Sequence, residues 1–391
     1  MKQAAILLAV LGNLFLWLWA VPGEPLYSPT WGFRIDPPEG FEFVEGDGKN
    51  QFAFVFSSSD IHLDMRVYPS GAYQTIEDLG KDIQKRLRNQ GDQSSFTYRG
   101  KQALLMRLDF SLSNRAYTGW AVAVEVTPPT GEGGKAPPPI LIALIYGPRE
   151  AENSLTSALY VSTLDSLAPT PGDQWAPGLI TSFTYPAGTR LQRTLPSLNL
   201  QVSVDTSDEE AAASVVEREY QLLTNYLTSP RWKEAWIRFY QMIYKDAYER
   251  LRPVALALEA ELGVPGSPTA QAQRQFAEKL LSWLQQFSYE RDPAGTDFVN
   301  PVSAALQARG DCDSRALLWA IILHHAHIPA AMMVSREYQH AMGLVLLEGA
   351  GARFTLGSRQ WLVAETTASV SLGLIGQSVA DPNRWIGILF E

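Results

Sequence analysis

Residues 312–323, CDSRALLWAIIL, are the strongest constraint in this chain, because past the first turn a helix built from them is apolar nearly all round. Such a helix has no face to offer to water, so the rest of the fold has to enclose it. Gly310 ends whatever precedes, and Asp311 is suited to the N-cap. Cys312, the only cysteine among 391 residues, is thereby set at the N-terminus of a buried helix. Unsatisfied N–H groups and partial positive charge there lower a thiol pKa from its free value of about 8.5. Asp311 and Asp313 push the other way. A reactive thiolate between two aspartates needs a further cation beside the sulfur, and an imidazolium is the usual one. The competing reading is a small buried hydrophobe.

The chain is long enough for about two or three domains. A net charge of −9 and the lack of any basic run argue against nucleic acid or an anionic lipid surface as partner; a cationic or neutral substrate fits better. Lys2, an apolar run from Ala4 to Val21, then Pro22 and Gly23 have the layout of a secretory signal peptide over residues 1–23. The run is also just long enough, against the roughly 17–25 residues a span needs, for a retained membrane anchor. The protein is therefore expected to be exported, periplasmic or extracellular, and to meet the membrane only through that segment. In such a compartment cysteines favour structural disulfides, which one cysteine cannot form within the chain.

Residues 26–169 read as an α/β domain. WGFRIDPPEGFEF, NQFAFVFSSS and IHLDMRVYP are strands between Pro/Gly turns. TIEDLGKDIQKRLRNQG is a helix with Ile76, Leu79, Ile83 and Leu87 on one side and Gly91 as its end. FTYRGKQALLMRLDFSL, YTGWAVAVEVTP and PILIALIYGP are further strands, with TGEGGKAPPP as a hairpin excursion, and EAENSLTSALYVSTLDSLAP is the closing helix. His62 lies in a strand and reads as structural. The Pro/Gly cluster at 168–178 marks a boundary where a protease is expected to cut, and 170–204 reads as a strand-rich bridge. Residues 205–391 begin with helices: one capped at Ser207 or Asp208, one carrying Trp232, Trp236, Phe239, Ile243 and Tyr244, and one carrying Phe276, Leu280, Trp283, Leu284 and Phe287. These stripes read as core. The fold class expected is α+β, an antiparallel-sheet domain followed by a helical lobe with a second antiparallel sheet.

The opening WGFRIDPPEGF, the sheet and a closing helix ending in Ser-Leu resemble the PsbP-like fold. LLSWLQQFSY, NPVSAALQARGDCDSRALLWAIILHHAHIPAAMM, EYQHAMGLVLL and QWLVAETT resemble, in that order, the transglutaminase-like superfamily of papain-type cysteine enzymes. That resemblance implies Cys312 as nucleophile, His340 as general base and Glu365, where the family usually has aspartate, as the group that orients the imidazole. Asp381, followed by Pro382, is the rival third residue, and Gln307 is an oxyanion candidate by analogy with papain-like sites. The residues support the pairing independently: a Gly-rich turn in HAMGLVLLEGAGARF and a returning strand in RQWLVAETT bring His340 within a few residues of Glu365.

The implied activity is attack of the thiolate on an amide of a protein or peptide substrate, giving a thioester resolved by water or by an amine. Hydrolysis is favoured, since an exposed site must exclude water to favour transfer. No cofactor is implied. His324, His325 and His327 look like a metal cluster but lack Cys, Asp or Glu at ligand spacing, and they sit where histidine satisfies the last carbonyls of a helix. Two other readings stand beside the enzyme: a binding or scaffold protein with a degenerate site, and an assembly factor using the helices around Trp232 and Trp236 as an interface.

Overall fold

The computed structural model describes residues 25–127, 137–263, 269–290 and 296–390. The stretch 1–23, read as a signal peptide or anchor, and most of the TGEGGKAPPP excursion lie outside the described residues. The chain is α+β, and it divides into two units, 1–174 and 175–391.

The first unit contains β1 (Leu26–Tyr27), β2 (Arg34–Ile35), β3 (Phe41–Gly46), β4 (Gln51–Phe56), β5 (His62–Tyr68), α1 (Ile76–Leu87), β6 (Gln93–Tyr98), β7 (Lys101–Leu112), β8 (Arg115–Glu125), β9 (Ile140–Pro148) and α2 (Ser154–Asp165). Seven of the strands form one antiparallel sheet in the order β3-β4-β5-β9-β8-β7-β6. Ile76, Leu79 and Ile83 of α1 pack on Leu104, Met106, Leu108, Ala121 and Ala123, which are the apolar faces the sequence periodicity marks.

Two local expectations change. Helix α1 starts as capping chemistry requires, with Thr75 accepting from the Asp78 N–H at 3.1 Å, but it ends at Leu87 with Arg88 left-handed at φ 51°. Gly91 is not the terminator. A Cβ there would lie 2.0 Å from the Arg107 carbonyl oxygen, so its glycine answers a close backbone approach. FTYRGKQALLMRLDFSL is two strands, β6 and β7, reversing at Arg99 (φ 50°) and Gly100 (φ 81°). Two consecutive positive φ values are what a tight hairpin turn demands.

The division between the two units, 174/175, falls inside the Pro/Gly stretch at 168–178 read as a boundary, and residues on each side of it are held within their own unit. The buried Asp173 accepts from Thr170, Arg99 and Lys101, and Ala176, also buried, accepts from Lys245 Nζ at 2.7 Å.

The second unit runs α3 (Leu179–Thr184), β10 (Arg190–Leu195), β11 (Leu200–Asp205), α4 (Asp208–Tyr226), α5 (Trp232–Arg250), α6 (Arg252–Leu262), α7 (Ala270–Leu284), α8 (Pro301–Gln307), α9 (Cys312–His325), β12 (Ala330–Ser335), β13 (His340–Val345), β14 (Arg353–Leu356), β15 (Arg359–Ala364) and β16 (Ile386–Ile388). Leu195, Val202 and Val204 of the β10–β11 hairpin join this unit's core, so most of the stretch read as a bridge belongs here. The helix carrying Trp232 and Trp236 breaks at Leu251 and the chain restarts as α6, with Pro253 in its first turn, where the missing N–H costs nothing. Phe239, Ile243 and Tyr244 are buried, while Trp232 and Trp236 are half-buried.

Helix α9 is enclosed by α5, α6, α7 and α8 and by strands β12 and β13, and every residue from Ser314 to Leu323 is buried. The five-stranded antiparallel sheet beside it has the order β14-β15-β13-β12-β16. At the contact, the ring of Trp319 lies where a Cβ on Gly343 would come within 2.5 Å of it, and its indole N–H donates to the Leu344 carbonyl at 3.3 Å. Gly343→Ala is therefore expected to destabilise the second unit by about 1–3 kcal/mol through overpacking, read as a lower denaturation midpoint in urea. No helix among the described residues is long and apolar enough to cross a membrane.

Candidate active site

The N-terminus of α9 is built by Asp311, whose Oδ1 accepts from the Ser314 N–H at 2.9 Å and from Ser314 Oγ at 2.6 Å. This is the cap the sequence marks, and it fixes Cys312 as the first helical residue. The thiol is buried. Burial pushes its pKa far above the ordinary thiol range, Asp313 and Asp311 push it further, and the backbone amides of Ala341 and Asp313 partly oppose them.

Cys312 Sγ donates to Asp313 Oδ1 at 3.8 Å. Asp313 is itself raised above the ordinary carboxylate range by burial and by Asp311, against hydrogen bonds from Tyr240 and Cys312 and the charge of His340. The Tyr240 hydroxyl is in turn bonded to Trp236. A chain of polar groups thus runs from Trp236 through Tyr240 and Asp313 to the sulfur.

His340 opens β13, opposite Ser335 of β12. Strand β13 pairs with β15 in the register Gly343↔Ala364, so the residue following Ala364 comes up beside the His340 end. Glu365 Oε2 and His340 Nε2 are 2.7 Å apart. Oε1 of the same carboxylate accepts from the Thr367 N–H at 2.7 Å and from Thr367 Oγ1 at 2.6 Å, and Gln285 Nε2 donates to the Glu365 carbonyl at 2.9 Å. Burial would raise the Glu365 carboxyl, but the hydrogen bonds from His340 and Thr367 and the charge of His340 hold it below the usual carboxylate range. An ionised carboxylate only accepts, so Nε2 carries a proton, and in the neutral ring the lone pair is on Nδ1. The ring of Trp385 stands edge-on to the imidazole with centroids 6.2 Å apart.

The structure brings Cys312, His340 and Glu365 to one place, since the amide that bonds the sulfur belongs to Ala341, the residue after His340. It does not bring Gln307 there. That exposed side chain donates to Glu209 Oε2 at 2.9 Å and accepts from Arg309 Nε at 2.6 Å, because Ala308 is left-handed at φ 51° and turns the chain between α8 and the cysteine. Asp381 is also elsewhere: it is exposed and accepts from the Asn383 N–H at 3.1 Å, capping its own turn.

The side chains of three of the other histidines have local partners. His324 Nε2 accepts from the Ala330 N–H at 3.0 Å and its Nδ1 meets Tyr244 Oη at 2.6 Å; burial lowers its pKa to about 4. His325 Nε2 meets the Tyr248 carbonyl at 2.8 Å. His62 bonds Asp60 at 2.8 Å and stacks on Tyr146. Among the described residues no group of three or more His, Cys, Asp or Glu is placed to hold a metal.

Sequence reading passed over Arg315, Tyr240, Gln285 and Thr367. Only Arg315 carried a signal, as the one long charged side chain inside the apolar run of α9.

No family model matches the chain, and no curated protein matches it. A solved structure from Bacteroides thetaiotaomicron VPI-5482 is similar at 13% identity over 62% of this chain and 81% of that one, with a TM-score of 0.26. A likeness at that level carries no conclusion about fold or function.

Proposed function

We propose that this is an exported transglutaminase-like cysteine enzyme whose second unit attacks amide bonds of a protein or peptide through Cys312. The observation that carries the reading is the imidazole of His340, clamped through Nε2 by an ionised Glu365 beside the single thiol of the chain. Its Nδ1 is the base that takes the thiol proton; the thiolate adds to the carbonyl, the protonated imidazole returns the proton to the leaving amine, and a thioester remains. Water then releases the acid, so hydrolysis or deamidation is preferred to amine transfer. The first unit, whose opening resembles the PsbP-like fold, is assigned no catalytic part.

A second reading, a scaffold protein with a degenerate site, is favoured by one feature: the thiol donates to Asp313 instead of bonding the imidazole. The two separate in one experiment. Purified protein is incubated with a complex peptide mixture in which new termini and glutamine-to-glutamate conversions are counted by mass spectrometry. Cys312→Ala should reduce either product to background with little change in thermal midpoint, because alanine fits the space of a small buried thiol. Products that persist in the variant, or that never form with wild type, exclude Cys312 catalysis.

A further inference from the structure

We propose that Arg315 is a second cation of the Cys312 site and its positioning residue, holding the nucleophile against the Glu365 segment while its field offsets the two aspartates; the inference rests on the cysteine-enzyme reading of the same site.

Arg315 is 1% exposed, and among the described residues its guanidinium makes no ion pair and donates only to backbone carbonyls. Nε donates to Gly310 at 3.1 Å, Nη2 to Phe287 at 2.9 Å, and Nη1 to Leu284 at 3.3 Å and Thr366 at 3.5 Å. Gly310 precedes the cap of α9, Thr366 follows Glu365, and Leu284 and Phe287 end and follow α7. One planar fork therefore ties the nucleophile's helix to the segment that orients the base. A lysine, with its compact ammonium, cannot reach all of these carbonyls.

Carbonyl dipoles solvate a guanidinium without cancelling its charge, so the field remains available to neighbours. Cys312 and Arg315 are three residues apart on one helix and share a face. Asp311, Tyr289, Cys312 and Glu365 all lie within electrostatic reach of the guanidinium, which burial destabilises. The titratable and charged groups around the sulfur and the guanidinium are then Asp311 at the cap of α9, Asp313 and Arg315 within it, His340 from β13, Glu365 after β15, Tyr240 from α5 and Tyr289 after α7. His340 alone would face three carboxylates; with Arg315 there are two cations.

The test is the pH profile of Cys312 alkylation by iodoacetamide in the full chain, with circular dichroism confirming the fold of each variant. Arg315→Gln should move the midpoint upward by about one pH unit, equivalent to a roughly tenfold slower reaction at a fixed pH below it. Arg315→Lys should keep the midpoint near that of wild type and lower peptide turnover, since the charge is retained and the fork is lost. A folded glutamine variant with an unchanged midpoint overturns the proposal. Should the glutamine variant fail to fold, the lysine variant decides alone, and wild-type turnover in it overturns the positioning role. His340→Ala is run alongside: an unchanged profile there is a failure of the cysteine-enzyme reading itself, whatever Arg315 does.

Discussion

At pH 7, Cys312 in a His340→Ala variant is expected to react with iodoacetamide about 10²-fold more slowly than in wild type, within the roughly 10²–10⁴ range a positioned acid–base group contributes. Burial, Asp313 and Asp311 all raise the thiol, so the isolated group is almost wholly protonated at neutrality. The cap and the two backbone amides do not outweigh that. On the proposed mechanism, protonation of His340 by the thiol would supply the charge that makes the thiolate tolerable, and the apparent pKa values would belong to the couple. Without the imidazole the profile moves to the alkaline side. A superimposable profile in the variant means that thiol and imidazole are uncoupled, and the scaffold reading then stands.

Glu365→Gln should lower turnover by roughly 10²–10⁴-fold while leaving the fold intact. The Thr367 N–H and hydroxyl both donate to Oε1, so a glutamine keeps its carbonyl oxygen there and turns its NH₂ toward His340. Donor then faces donor unless Nε2 gives up its proton. The imidazole settles into the other tautomer, with hydrogen on Nδ1, and loses the Nδ1 lone pair that the proposed mechanism uses to take the thiol proton. The carboxylate's depressed pKa adds a second signature. Its contribution to stability is present above the ordinary carboxylate pKa and is lost as pH falls through the lowered folded-state value. Acid melts of wild type and variant should therefore converge at low pH and differ above it. Equal turnover in the two proteins would remove Glu365 from the mechanism.

What was legible in the sequence is what depends on neighbours along the chain. Asp311 as cap and the burial of α9 follow from cap chemistry and an apolar circumference; the return of Glu365 toward His340 reads in the sequence as one reversal at the Gly-rich turn, but that turn leads into the edge strand β14, and β15 comes back beside β13 only after a second turn. The misplacement of Gln307 has a local cause, the left-handed Ala308, which spacing along a helix cannot reveal. The β6–β7 reversal was hidden because Arg-Gly takes the place of the commoner Asn-Gly. Arg315 is different in kind: its acceptors come from four places between Leu284 and Thr366, and a single long-range cradle leaves no periodicity to read. The polar chain from Trp236 to Asp313 is hidden for the same reason.

Helix α9 also sets how the second unit can open. Its interior amides point into a layer made by four other helices and two strands, with no fraying edge between Ser314 and Leu323. Small local fluctuations cannot expose them, so their deuterium uptake should proceed only through cooperative unfolding of that whole unit and report its global free energy. Cys312, the first residue of this helix, sits at the edge of that slowest-exchanging segment; on the cysteine-enzyme reading proposed above, the nucleophile would be held rigid and adaptation to different substrates would be left to the turns and strand ends around it.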